Sequence, residues 1–156
     1  MTETGSIFSV NISPGGVPKL PVAEALITAG GLDGDRQRNL KHHGGPDRAV
    51  CIYSIERILA LQGEGHPIGA GSVGENLTLS GIDWDSVVPE AMLEVGDALL
   101  EIVSFTPPCR TIRDSFTEEK FSRLSQKHFP GWSRVYARVL REGLVREGDP
   151  AVLRVP

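Results

Sequence analysis

Cysteine is scarce in this chain: Cys51 and Cys109 are the only two in 156 residues. Two thiols cannot build the multiply bridged framework of a small secreted domain, and both are expected free in a reducing compartment. Long apolar runs are missing too, since none approaches the roughly 18 residues that a membrane-crossing helix needs. The start, MTETGSIFSV, carries an acidic residue where a signal peptide would be basic. A cytoplasmic protein with no membrane partner is the expectation. Nor is there an excess of basic charge: 16 Lys and Arg against 20 Asp and Glu leave a net charge of −4. That balance supplies no general attraction to a nucleic acid backbone, so no nucleic acid partner is expected. A Walker loop, a dinucleotide fingerprint, a nucleophile-elbow serine and a ferredoxin cysteine pattern are all absent. Nucleotide triphosphate chemistry, Ser-His-Asp hydrolysis and a built-in electron carrier are therefore disfavoured.

What is present reads as an ordinary folded chain, with 40% hydrophobic and 23% charged residues. Its length suits one domain over residues 1–156. The 18 glycines and 11 prolines are spread along the chain as turn punctuation, which fits many short strands. Strands are expected at 6–12 and 22–28, forming an opening hairpin, and at 48–54, 75–79, 92–95, 98–103, 135–141 and 151–155. Ser54 is placed to cap a helix beginning IERILALQ, and Thr117 to open a second amphipathic helix carrying Phe121 and Leu124. Two stretches resemble each other, each setting a Gly-Asp turn before an apolar strand: Gly96-Asp97 and Gly148-Asp149. The fold class expected is a mainly β barrel, closed so that no sheet edge stays open.

Chemistry concentrates in a few places. Cys109 lies in Thr106-Pro107-Pro108-Cys109-Arg110-Thr111-Ile112, where two prolines restrict the loop and Arg110 and Arg113 can favour a thiolate. It can be a nucleophile, a soft metal ligand or a filler of a small apolar site. Cys51, within Ala49-Val50-Cys51-Ile52-Tyr53, has no activating charge beside it and reads as core. His42 and His43 precede Gly44-Gly45-Pro46-Asp47, a loop whose backbone N–H groups can approach an anion. Adjacent histidines point differently, so a zinc site from His42, His43 and Cys109 is the weaker reading, beside a turn with solvated histidines. Arg36, Arg38 and Lys41 gather cations next to that loop, and an arginine fork suits phosphate. Asn76, in Gly74-Glu75-Asn76-Leu77, offers a donor and an acceptor to a heterocycle, or serves as a turn residue.

The order of these motifs resembles the MOSC family, named for the C-terminal domain of molybdenum cofactor sulfurases, in its small stand-alone bacterial form. The resemblance runs through Gly31-Leu32-Asp33-Gly34-Asp35, His43-Gly44-Gly45-Pro46-Asp47-Arg48-Ala49-Val50, Gly74-Glu75-Asn76-Leu77, Val95-Gly96-Asp97, Pro107-Pro108-Cys109 and Gly131-Trp132. It implies a MOSC-type β-barrel with a few short helices that binds the molybdenum cofactor (molybdopterin carrying Mo), with Cys109 as protein ligand to Mo. It further implies that Arg36, Arg38 and Lys41 hold the cofactor phosphate, that His43 and Asn76 lie near pterin or substrate, and that Gly44, Gly45, Asp47 and Arg110 belong to the cradle. Similar proteins reduce N-hydroxylated compounds with electrons from an external reductase. Better-known reductases carry a helical extension beyond the barrel, whereas this chain stops at Val155-Pro156. The alternative expectation is a carrier, holding cofactor or a Cys109 persulfide for a cofactor-handling partner without turnover.

Overall fold

The computed structural model of the chain describes residues 1–35 and 45–156. Eleven strands are present among them: β1 (Thr2–Ile12), β2 (Leu20–Val22), β3 (Glu24–Thr28), β4 (Gly31–Leu32), β5 (Val50–Ser54), β6 (Leu77–Ser80), β7 (Met92–Val95), β8 (Ala98–Phe105), β9 (Val135–Arg141), β10 (Gly143–Arg146) and β11 (Pro150–Arg154). Seven of them form a ring in the order β11-β7-β8-β9-β5-β6-β1, closed by antiparallel pairing of β1 with β11 from Thr2↔Arg154 to Ser6↔Pro150. The fold is thus the expected mainly β, closed barrel. Strand alternation fills its interior, where Ile7, Ile52, Leu77, Leu93, Leu100 and Ile102 are fully buried.

One pair in the ring is parallel, β5 with β6, so the chain must cross over between them. Helix α1 (Ile55–Gly63) makes that crossing. It starts where the sequence reading placed it: Ser54 Oγ accepts the N–H of Arg57 at 3.1 Å, and Ile55, Ile58 and Leu61 turn one apolar face to the barrel. The two Gly-Asp turns lie side by side, the N–H of Gly96 donating to Pro150 O at 3.2 Å, because the strands they introduce or follow, β7 and β11, are neighbours.

Three expectations differ from the structure. The stretch 22–28 does not return against β1: the chain bends at Ala23, only β2 pairs with β1, and β3 joins β10 and β4 in a separate sheet. Pro21 fits an edge strand, which has no partner to need its missing N–H. β10 was not foreseen, since Gly143–Arg146 is four residues long and carries one buried residue, Val145. The second helix is replaced by 3-10 turns at Thr117–Glu119 and Phe121–Leu124, with φ of 56° at Glu118 and 59° at Glu119. Tertiary anchors override helix propensity there: Thr117 N–H donates to His66 Nδ1 at 3.1 Å, and Arg123 forks onto Glu64 at 2.8 and 3.0 Å.

Candidate functional site

The loops at one end of the barrel enclose a cleft of about 570 Å³, counting space open to solvent. Its walls come from distant parts of the sequence. The β1–β2 loop contributes Val17 and Lys19, β5 contributes Cys51, the segment before β6 contributes Val73, Gly74 and Asn76, and β9 with its entry contributes Arg134 and Tyr136. Cys109, Thr111 and Ile112 close the remaining side.

Cys109 is partly exposed and precedes a 3-10 turn, Arg110–Ser115. Its sulfur sits 2.8 Å from Thr111 Oγ1, and the N–H of Ile112 returns to Cys109 O at 3.2 Å. Arg113 turns away to donate to Arg110 O at 2.9 Å, and Arg110 is exposed on the outer side of the turn. Cys51 is buried as expected of core, yet it also lines the cleft, with its sulfur 3.9 Å from Thr106 Oγ1. Burial pushes its thiol up from the ordinary range, against the opposing pull of Arg134.

A buried polar network backs the cleft. Lys19 donates to Asp35 Oδ2 at 2.6 Å, with side chains only 6% and 3% exposed. The same oxygen accepts Asn76 Nδ2 at 2.9 Å, while Asn76 Oδ1 accepts the N–H of Cys51 at 3.0 Å. Asn76 Nδ2 reaches Asn11 O as well, at 3.3 Å, so both amide donor positions are committed to protein. Glu75 is fully buried: Oε2 accepts from Gly71 N–H at 3.0 Å and Thr78 Oγ1 at 2.9 Å, and Oε1 has no partner among the described residues. Burial raises its carboxyl above the usual range, with those hydrogen bonds acting the other way. Arg134, 5% exposed, donates to Val73 O at 2.6 Å and Pro107 O at 3.2 Å. Among the described residues no carboxylate lies within ion-pair distance of it and its Nε has no hydrogen-bond partner. Among the described residues, the cleft therefore carries one cation balanced by Asp35 and one with no ion-pair partner.

Burial pushes the Tyr136 phenol up to about 12, so it faces the cleft as O–H at neutral pH. Arg48 lies 5.7 Å from the centre of its ring.

Of the residues singled out in the sequence, Cys109 and Asn76 meet in this cleft. Arg36, Arg38, Lys41, His42, His43 and Gly44 lie outside the described residues. The two ends of their segment are described: Asp35 is in the network behind Asn76, and Gly45 leads into the 3-10 turn Pro46–Arg48 beside Tyr136. Asp47 is exposed there, with Arg138 at 3.5 Å. Among the described residues, no group of three or more His, Cys, Asp and Glu is placed to hold a metal ion. Lys19, Arg134 and Tyr136 were missed. The available signal was a charge at the mouth of an apolar strand, as in Ser133-Arg134-Val135-Tyr136, where a solvated residue would be the rule.

The MOSC domain profile matches residues 39–152. The YflK protein of Bacillus subtilis is 30% identical over 136 residues, which cover 85% of this chain and 60% of that protein. YiiM of Escherichia coli is 32% identical over 118 residues, covering 72% of this chain and 53% of that protein. The chain thus spans little more than half the length of the curated relatives it matches. Among solved structures, YiiM from Geobacillus stearothermophilus superposes with a TM-score of 0.74 at 28% identity, over 96% of this chain and 75% of that one.

Proposed function

This chain belongs to the MOSC domain family, and on that premise we propose that its cleft binds the molybdenum cofactor through Cys109 and serves the reduction of N-hydroxylated small molecules. The observation that carries the reading is the pairing of a partly exposed thiol with a buried, carboxylate-free arginine in one cleft. A thiolate is a soft ligand suited to Mo, and a phosphorylated pterin brings the negative charge that Arg134 lacks. The residues present therefore fit the group. When bound, the cofactor supplies oxygen-atom acceptance coupled to two-electron transfer.

The chain's own residues bind and position. Cys109 holds the metal, with Thr111 beside its sulfur. Val17, Val73 and Ile112 give the cleft apolar walls that limit water and favour a flat, weakly polar substrate. Tyr136 holds a proton at Oη near the site, where loss of hydroxyl from nitrogen requires one. Electrons come from an external reductase, and localisation in the cytoplasm goes with that donor.

The test is metal and pterin analysis of protein made in a cofactor-competent host, beside Cys109→Ser, followed by reduction of benzamidoxime or hydroxylaminopurine with a reductase supplied. Stoichiometric Mo and pterin in the wild type, lost in Cys109→Ser, with turnover in the wild type alone, is the expected result. Protein lacking both Mo and pterin, and inert after reconstitution, sinks the reading. The partial exposure of Cys109 favours a second reading, in which a partner protein reaches the sulfur and the chain only holds cofactor or persulfide. Bound cofactor or persulfide without turnover would select it.

A further inference from the structure

We infer that Arg134 is the positioning residue that sets the width of the cleft, by tying the Cys109 loop to the glycine-rich loop through one guanidinium. Its two terminal nitrogens reach carbonyls on opposite walls, Val73 O at 2.6 Å and Pro107 O at 3.2 Å. Those residues are far apart in sequence, and each lies within two positions of a residue that lines the cleft, Gly74 on one side and Cys109 on the other.

Arg134 can act as a strut because it is itself immobilised. Tyr53 Oη donates to Trp132 O at 2.7 Å, and Trp84 Nε1 donates to Ser133 O at 2.8 Å. The N–H of Thr106 donates to Arg134 O at 2.9 Å, which fixes the start of the Cys109 loop to the same residue. The ring of Trp132 lies between Arg57 and Arg123, at 4.7 and 4.2 Å from its centre. A second tie between the walls, Ser115 Oγ to Ser72 Oγ at 2.8 Å, sits farther along the 3-10 turn. It leaves the Pro107 end to Arg134.

The planar fork matters more here than the charge. A guanidinium carries donors on two rigidly spaced nitrogens that can span two carbonyls on facing walls, whereas an ammonium gathers its donors on one nitrogen. Lysine at this position would keep the charge and lose the span. The inference stands on the geometry of the walls and does not need the cofactor assignment above to be right.

Buried Cys51 behind the cleft reports on its opening. In a Cys109→Ser background, where Cys51 is the one remaining thiol, its rate of reaction with Ellman's reagent is measured beside amide exchange and urea unfolding for Arg134→Lys and Arg134→Met. Both variants are expected to label Cys51 on the order of tenfold faster, and to speed exchange at 72–74 and 109–111 together while the β5 and β8 amides keep their protection. Labelling that rises only in step with global unfolding, or loosening of one wall without the other, overturns the inference. So does full restoration by lysine, which would make charge the operative property. None of these outcomes depends on Mo content, so failure here and failure of the cofactor reading are separate results.

Discussion

Glu75 carries a fully buried carboxyl whose Oε1 has no hydrogen-bond partner among the described residues. Because burial raises its folded-state value above the ordinary 4.5, the native protein binds a proton that the unfolded chain releases. Its contribution to stability is whole below pH 4.5 and is lost as pH rises through the folded value. Glu75→Gln keeps an oxygen for Gly71 N–H and Thr78 and removes that titration. Urea midpoints measured from pH 4.5 upward should therefore fall less steeply with pH in the variant than in the wild type. A parallel pair of profiles would show that the group does not titrate differently on folding. The Lys19 and Asp35 pair makes an opposite case, since removing one partner strands a buried charge. Lys19→Met alone should cost about 3–5 kcal/mol, and most of that should return in Lys19→Met with Asp35→Asn. Denaturant unfolding of the wild type, Lys19→Met, Asp35→Asn and the double variant measures both. At this scale, Cys109 was legible because the two prolines before it restrict the backbone. Lys19 and Arg134 were not, because a charge in a sequence does not show which atoms will surround it. The same limit applies to Asn76, whose amide, offered to a heterocycle on sequence grounds, has its donor hydrogens spent on Asp35 and Asn11.

Elements were read best where local chemistry and tertiary contacts agree. The helix after Ser54 combines a cap, an apolar face and a place in a β5–α1–β6 crossover, so every level points the same way. The stretch after Thr117 has helical local chemistry, but His66, Gly65 and Glu64 hold it in two short turns. Nothing within 117–124 records those contacts. Between α1 and β6, Gly71 has φ of +81°, and a Cβ there would collide with the Lys19 carbonyl. The N–H of Lys19 also donates to Gly71 O at 2.8 Å, so this glycine sets how closely the β1–β2 loop approaches the cleft. Gly71→Ala should lower stability by roughly 2 kcal/mol or more and displace Lys19. Thermal unfolding with amide exchange at Val17 and Lys19 checks it. Unchanged stability would mean that the two loops can separate freely.

For the whole molecule, alternation of apolar residues and frequent turns made a closed β barrel legible, while strand order was not, because pairing is a property of residues far apart. β1 shows the difference: one strand serves β6 along one side and both β11 and β2 along the other. The closing pair depends on Leu153, fully buried opposite Leu93 of β7 and Glu3 of β1. Leu153→Ala should cost about 2–5 kcal/mol and raise exchange in β1 and β7 together, read by hydrogen exchange at single-residue resolution. Protection lost from β11 alone would show that the ring does not close through this pair. Closure by β11 also has a consequence in time. Within this chain β1 is made before β11, so the side of β1 that β11 covers at residues 2–6 waits for residues 150–154. Until β11 is made, the nascent barrel presents two raw strand edges, on β1 and β7, and it is in that interval that it is most exposed to mispairing with another copy of itself.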